Sequence, residues 1–207
     1  MRLLILGGTV FLGRHVAGAA LERGHQVTLF HRGRSNPGVW PAAEHVIGDR
    51  DGGLDALGGR TWDAVVDTSG YVPRLVRAAA RRLSGVVGHY VFVSSVSAYA
   101  EITRPLADES HPLAALVDPT VETVTGETYG GLKAACERAA EEEMPGRVAS
   151  IRAGLLVGPH DTSDRFPYWP RRIARGGETL APAPREHPTQ FVDARDLAEW
   201  MVGVAQQ

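Results

Sequence analysis

The sequence has a single cysteine, Cys136, so no intrachain disulfide forms and a cysteine-based zinc site is not expected. Cys136 falls in a helical stretch and reads as a small packing residue. The eight histidines are scattered, with no pair at metal-ligand spacing on an obvious helix, and no metal is expected. Neither charge sign predominates: 22 Lys and Arg against 24 Asp and Glu leave a formal net charge of −2. That balance gives no electrostatic case for a nucleic-acid or membrane-surface partner. The chain lacks the long uncharged apolar run that a membrane span requires. It also lacks internal repeats and low-complexity segments. The apolar run at Leu3–Leu6 is too short for a signal peptide and ends at once in a glycine-rich turn. A reducing, cytoplasmic location is the expectation.

What is present is alternation. Apolar runs at Leu3–Leu6, Gln26–Phe30, Glu44–Ile47, Ala64–Asp67, His89–Val93 and Val148–Ile151 read as strands. Helical stretches at Phe11–Arg23, Pro73–Leu83 and Thr128–Glu143 separate several of them. Gly24 ends the first, Pro73 starts the second and Pro145-Gly146 stops the third. Strands alternating with helices imply right-handed crossovers and a parallel sheet, a Rossmann-type doubly wound α/β fold. Residues 1–158 form the expected dinucleotide-binding domain. From Pro159 to Pro188 prolines become dense, with one helix expected around Tyr168–Arg175. Residues 159–192 read as a partial substrate lobe and 193–207 as a C-terminal helix capped by Asp193, with Asp196 in its first turn.

Gly7-Gly8-Thr9-Val10-Phe11-Leu12-Gly13 stands between the first strand and the first helix. A helix N-terminus presents free N–H groups and partial positive charge, which suit a pyrophosphate. Glycines let the backbone turn tightly and the helix approach the sheet. The expected cofactor residues here are Gly7, Thr9, Val10, Phe11, Leu12 and Gly13. Val10 stands where the spacing G-x-x-G-x-x-G has its middle glycine, and its β-branched side chain should limit approach of the phosphates. The second strand ends in Phe30-His31-Arg32-Gly33-Arg34-Ser35, without the acid that would bind both ribose hydroxyls of NAD. Arg32, Arg34 and Ser35 suit a 2′-phosphate instead, so NADP is expected over NAD; a solvated basic loop is the bland alternative. Asp49 would accept a bond from the adenine amino group, or is a turn residue in Gly48-Asp49-Arg50-Asp51.

Tyr129 and Lys133 lie four residues apart on one helix and so share a face. A lysine charge near a tyrosine hydroxyl favours the phenolate, which suits proton transfer at a substrate oxygen. Alone, this spacing is also that of an ordinary surface pair. Ser94-Ser95-Val96-Ser97-Ala98-Tyr99 follows the fifth strand at the carboxyl edge of the sheet, where doubly wound folds bind ligands.

These segments, with Arg152-Ala-Gly-Leu-Leu-Val-Gly-Pro159 and Phe191-Val-Asp-Ala-Arg-Asp-Leu-Ala198, resemble the extended short-chain dehydrogenase/reductase family in its NAD(P)-dependent epimerase/dehydratase branch. The resemblance covers nearly the whole chain. It implies Tyr129 as acid/base, Lys133 on the nicotinamide ribose, and Ser95 orienting the substrate oxygen, with Ser94 and Ser97 as near alternatives. It places Thr68 and Ser69 along the cofactor. Tyr71 would reach the substrate or serve packing. Arg165, Phe166 and Tyr168 would line the substrate lobe, unless the two aromatics pack it against the sheet. Relatives continue past the point matching Gln207, so the lobe is either short or the chain a fragment. The expected function is redox-based reduction, epimerisation or dehydration of a carbonyl or hydroxyl substrate, with a nucleotide sugar as one candidate. The alternative is a non-catalytic NADP(H) sensor or RNA-associated module. A homodimer would pair the helices Pro73–Leu83 and Thr128–Glu143 across subunits.

Overall fold

The computed structural model describes residues 1–101, 107–181, 184, 186 and 188–207. Residues 182, 183, 185 and 187, inside the expected substrate lobe, lie outside the described residues.

Six strands form one parallel sheet: β1 (Arg2–Leu6), β2 (Gln26–His31), β3 (Glu44–Ile47), β4 (Trp62–Asp67), β5 (Val87–Ser95) and β6 (Val148–Ala153). Their order is β3-β2-β1-β4-β5-β6, with the switch point beside β1. The apolar run of β1 is explained by cover on both faces. Leu3 and Ile5 pack with Val16, Ala17 and Ala20 of α1 (Leu12–Glu22) and Ala198, Met201 and Val202 of α5 (Ala194–Val204). Leu4 and Leu6 point the other way, into the cluster of α2 (Pro73–Leu83) and α3 (Tyr129–Glu143). Each buried Leu, Ile, Val or Met side chain among them contributes about 1.5–3 kcal/mol. Cys136 and Ala140 of α3 belong to the second cluster, so Cys136 packs as expected, and burial pushes its thiol up to about 12.

Local signals set the element ends. Gly24 takes a left-handed φ of 75° while His25 N–H donates to Ala20 O at 3.0 Å, closing α1. Pro73 stands in the first turn of α2. Asp193 caps α5, its side chain accepting from Arg195 N–H at 2.8 Å. The helices α2 and α3 pair with each other within the chain, with Arg81 on Glu143 at 2.8 Å. After β6 the chain makes β7 (Leu155–Val157), a short helix α4 (Tyr168–Ala174) and β8 (Phe191–Asp193). The pair β7–β8 is a two-stranded parallel sheet that the sequence reading did not anticipate, because each strand has three residues. Among the described residues no helix is long and apolar enough to cross a membrane, and no cluster of three or more His, Cys, Asp or Glu could hold a metal ion.

Candidate active site

The strain of the turn after β1 falls on glycines. Gly7 and Gly8 have φ of 113° and 93°, a region costly for side chains. A Cβ on Gly13 would stand 2.7 Å from Gly8 N and 2.8 Å from Thr68 Oγ1. Gly13 therefore brings α1 against the strand ends, and α1 begins with no side-chain cap on its N–H groups. This cradle, which side chains would fill, fits a dinucleotide pyrophosphate. Val10 is not among the residues in the left-handed region, and 45% of it is exposed on the cleft wall. What Val10 adds to the turn is thus side-chain bulk, without a left-handed backbone at that position.

At the carboxyl ends of the strands lies a cleft of about 710 Å³ lined by the whole turn Gly7–Gly13, Thr68, Ser69, Tyr71, Ser95, Tyr129, Lys133 and Arg165. It therefore gathers most residues expected from sequence. A larger depression of about 860 Å³, lined by Met1, Asp63, His89 and Arg147, opens at the amino ends of the strands. The smaller cleft is the candidate site, because it holds the phosphate cradle and the Tyr–Lys pair at the edge where such sheets bind ligands.

Tyr129 opens α3 and Lys133 sits one turn later, 3% exposed. Lys133 Nζ donates to Gly70 O at 2.7 Å and Val93 O at 2.5 Å. Its charge lies 4.3 Å from the centre of the Phe92 ring and 5.2 Å from that of Tyr71. Burial lowers the amine to about 8. Tyr71 and Tyr129 have ring centres 6.5 Å apart. Desolvation, helped by Tyr129 and Asp67, raises the Tyr71 phenol. Two glycines explain how α3 reaches the strand end. A side chain on Gly130 would overlap the Ser97 carbonyl oxygen, and one on Gly131 would meet Leu116. Ser95 Oγ accepts from Ser97 N–H at 3.1 Å and caps a 3-10 turn over Val96–Ala98. Ser94 and Ser97 also border the cleft; Ser94 Oγ donates to Glu137, which leaves Ser95 the freer hydroxyl of the adjacent pair Ser94 and Ser95.

A second cleft of about 370 Å³ adjoins the first and shares Gly7, Thr9, Val10, Arg32, Ser69 and Tyr71 with it. Arg34, Ser35, Asp49 and Arg50 also line it, as do His31 and Gly33. Asp49 both borders this cleft and makes a turn, its carboxylate accepting from Asp51 N–H at 3.1 Å. Thr68 and Ser69 spend their hydroxyls on Leu6 O, at 3.0 and 3.2 Å, so they brace the cradle as well as line it. Phe166 and Tyr168 are not brought to the main cleft: Phe166 packs on Phe191 at 5.1 Å and Tyr168 on Trp169.

Two buried networks escaped the sequence reading. Arg50 forms a two-point ion pair with Asp67, at 3.0 and 2.9 Å, and Tyr90 donates to the same carboxylate at 2.7 Å. Burial opposes both charges, but their mutual attraction holds Asp67 below and Arg50 above the ordinary range. An aspartate ending the apolar run Ala64-Val65-Val66 was the available signal; its partner, 17 residues away, was not legible. Glu137 likewise holds Arg152 at 2.8 Å, and Arg152 lies over the Tyr99 ring at 4.7 Å.

This fold and cleft define a dinucleotide-binding α/β enzyme class. The chain belongs to the NAD dependent epimerase/dehydratase family, whose profile matches residues 52–207. Comparison with curated proteins finds no match. Solved structures with a similar fold include the Bordetella bronchiseptica enzyme WbmG in complex with NAD and UDP, at 19% identity and TM-score 0.79, over 100% of this chain and 69% of that one. The UDP-N-acetylglucosamine 4-epimerase from Bacillus cereus matches at 20% identity and TM-score 0.74, over 100% and 75%. The Bordetella bronchiseptica enzyme WbmH in complex with NAD+ matches at 22% and 0.73, over 99% and 72%. At these identities the likeness bears on the fold.

Proposed function

We propose that the protein is an NADP(H)-linked epimerase, dehydratase or reductase acting on a hydroxyl or carbonyl of a small molecule, with nucleotide sugars the leading substrate class. The observation that carries the reading is the convergence of Ser95, Tyr129 and Lys133 with the Gly7–Gly13 cradle on one cleft. Bound dinucleotide would supply reversible hydride transfer at its nicotinamide. Gly7, Thr9, Val10, Phe11, Leu12 and Gly13 would hold the pyrophosphate, and Thr68 and Ser69 the adjoining ribose. Asp49 would face the adenine. Lys133 has three donors, two of them held by Gly70 O and Val93 O; the third would bind a ribose hydroxyl. Tyr129 Oη would take or return the proton of the reacting oxygen, and Ser95 Oγ would orient that oxygen. Tyr71 and Arg165 would meet the remainder of the substrate, Arg165 suiting an anionic group.

Preference for NADP(H) rests on Arg32 and Arg34 and on the absence of an acid in 31–35. It differs from the NAD named for the WbmG and WbmH complexes. Nucleotide sugars enter by analogy with those neighbours. The test is a side-by-side titration with NADPH and NADH, then turnover on a panel of nucleotide sugars. Tighter binding of NADH would refute the preference. Arg32→Ala should weaken NADPH more than NADH, since only NADPH offers the 2′-phosphate. Binding without turnover of any substrate would favour a cofactor-sensing module.

A further inference from the structure

The turn that follows β2 is tied down by two histidines. His31, the last residue of β2, is 7% exposed, and its Nδ1 accepts from Gly33 N–H at 3.1 Å. A nitrogen that accepts carries no proton, so the neutral His31 ring holds its hydrogen on Nε2. That nitrogen is 2.9 Å from His45 Nδ1 on the neighbouring strand, with the two rings edge to face at 86°. His45 Nδ1 must therefore accept, and its Nε2–H donates to Trp40 O at 3.3 Å. The chain of bonds has one polarity throughout, from Gly33 N–H to His31, then His45, then the Trp40 carbonyl. Its far end is anchored too, because the Trp40 ring packs where a side chain on Gly18 of α1 would stand.

We infer that His31 and His45, both neutral, are a positioning pair that sets the Arg32–Ser35 turn for the adenosine end of the dinucleotide. This rests on the cofactor reading above. Gly33 stands between Arg32 and Arg34 with a left-handed φ of 71°, so the bond from its N–H fixes the course of both arginines. A proton added at His31 Nδ1 would face Gly33 N–H. One added at His45 Nδ1 would face His31 Nε2–H. Either sets two donors against each other and releases the turn.

The charged neighbours do not replace the lost bond. Arg32 and Arg34 lie on the turn itself. Glu44, beside His45 on β3, is engaged by Arg60 at 2.9 Å and Thr28 at 3.1 Å. Asp49 and Arg50 line the same cleft, and Arg50 is neutralised by Asp67. Burial, and then the neighbouring His45, lowers the His31 titration below its ordinary value. The neutral chain therefore holds at neutral pH and opens in mild acid.

The test is isothermal titration of NAD+ and NADP+ between pH 8 and pH 5, on the wild-type protein and His31→Asn. NAD+ isolates the protein's own titration, since the 2′-phosphate of NADP+ itself takes up a proton near pH 6. In the wild type, NAD+ affinity should be lower at pH 5 than at pH 8, because coupling to one proton weakens binding by up to about tenfold per pH unit once His31 is protonated. In His31→Asn the amide oxygen accepts from Gly33 N–H at every pH. The variant's NAD+ affinity should change less than about twofold between pH 8 and pH 5. The Gly33 amide, followed by NMR without cofactor, should lose exchange protection in acid only in the wild type. A flat wild-type profile with firm binding at pH 8, or an equal fall in His31→Asn, overturns the positioning role alone. Failure of both dinucleotides to bind at pH 8 overturns the cofactor reading together with it.

Discussion

Lys133 places a titratable amine where water does not reach, and this has a measurable cost. At 3% exposure its amine titrates near 8, against about 10.4 for a free lysine. A base whose folded pKa is depressed destabilises the fold while it is charged. Between pH 7 and 9.5 the folded protein sheds this proton while the unfolded chain keeps it, so stability rises. At about 1.4 kcal/mol per pH unit the gain is about 2 kcal/mol. Cys136 acts in the other direction. Its thiol is raised from 9.0 to about 12, so its contribution is present below pH 9 and is lost above it, by about 1 kcal/mol at pH 9.5. Comparison with Lys133→Met removes this opposing effect, because both proteins carry Cys136. The variant leaves Gly70 O and Val93 O without their donor, a cost of about 1–3 kcal/mol per group that is much the same at both pH values. Urea denaturation without cofactor should therefore show wild-type stability gaining about 2 kcal/mol on the variant between pH 7 and 9.5, or about 4–8 °C in Tm. A gain below about 0.5 kcal/mol, or a loss, would refute the burial argument.

Tyr129→Phe should lower turnover by about 10²–10⁴-fold while leaving cofactor affinity and Tm nearly unchanged; steady-state kinetics on a true substrate, with near-normal rates, would remove Tyr129 from proton transfer. Val10→Gly should leave the fold intact and tighten dinucleotide binding, because the exposed Val10 side chain on the cleft wall is lost; unchanged or weaker binding by calorimetry would mean that residue 10 does not limit the phosphates. Gly130→Ala should destabilise by about 1–3 kcal/mol or more, since its methyl group meets the Ser97 carbonyl; it should also depress turnover by moving Tyr129 relative to Ser95, and a neutral result in both assays would contradict the packing of α3 on the strand end.

The parallel α/β class, all six strands to within two residues at either end, and the principal helices were legible in the sequence because each rests on local rules. Apolar runs of four or five residues, Gly24 after α1, Pro73 at the start of α2 and Asp193 before α5 act within a few residues of where they stand. The glycine cradle and the Tyr129–Lys133 spacing are likewise short-range. β5 ran further than its apolar centre suggested, because Ser94 and Ser95 pair with Arg152 and Ala153 of β6. β7 and β8 were missed for the same reason: three-residue strands exist only through a partner 36 positions away. Tertiary structure alone decided that α5 joins α1 in the main core, that Phe166 turns to Phe191 instead of the cleft, and that Arg50 meets Asp67. It also decided the direction of the His31–His45 bonds, since β2 and β3 had to pair in register before either ring had a neighbour. Local chemistry sets which elements form, whereas partnership between distant residues depends on the packing that brings them within bonding distance.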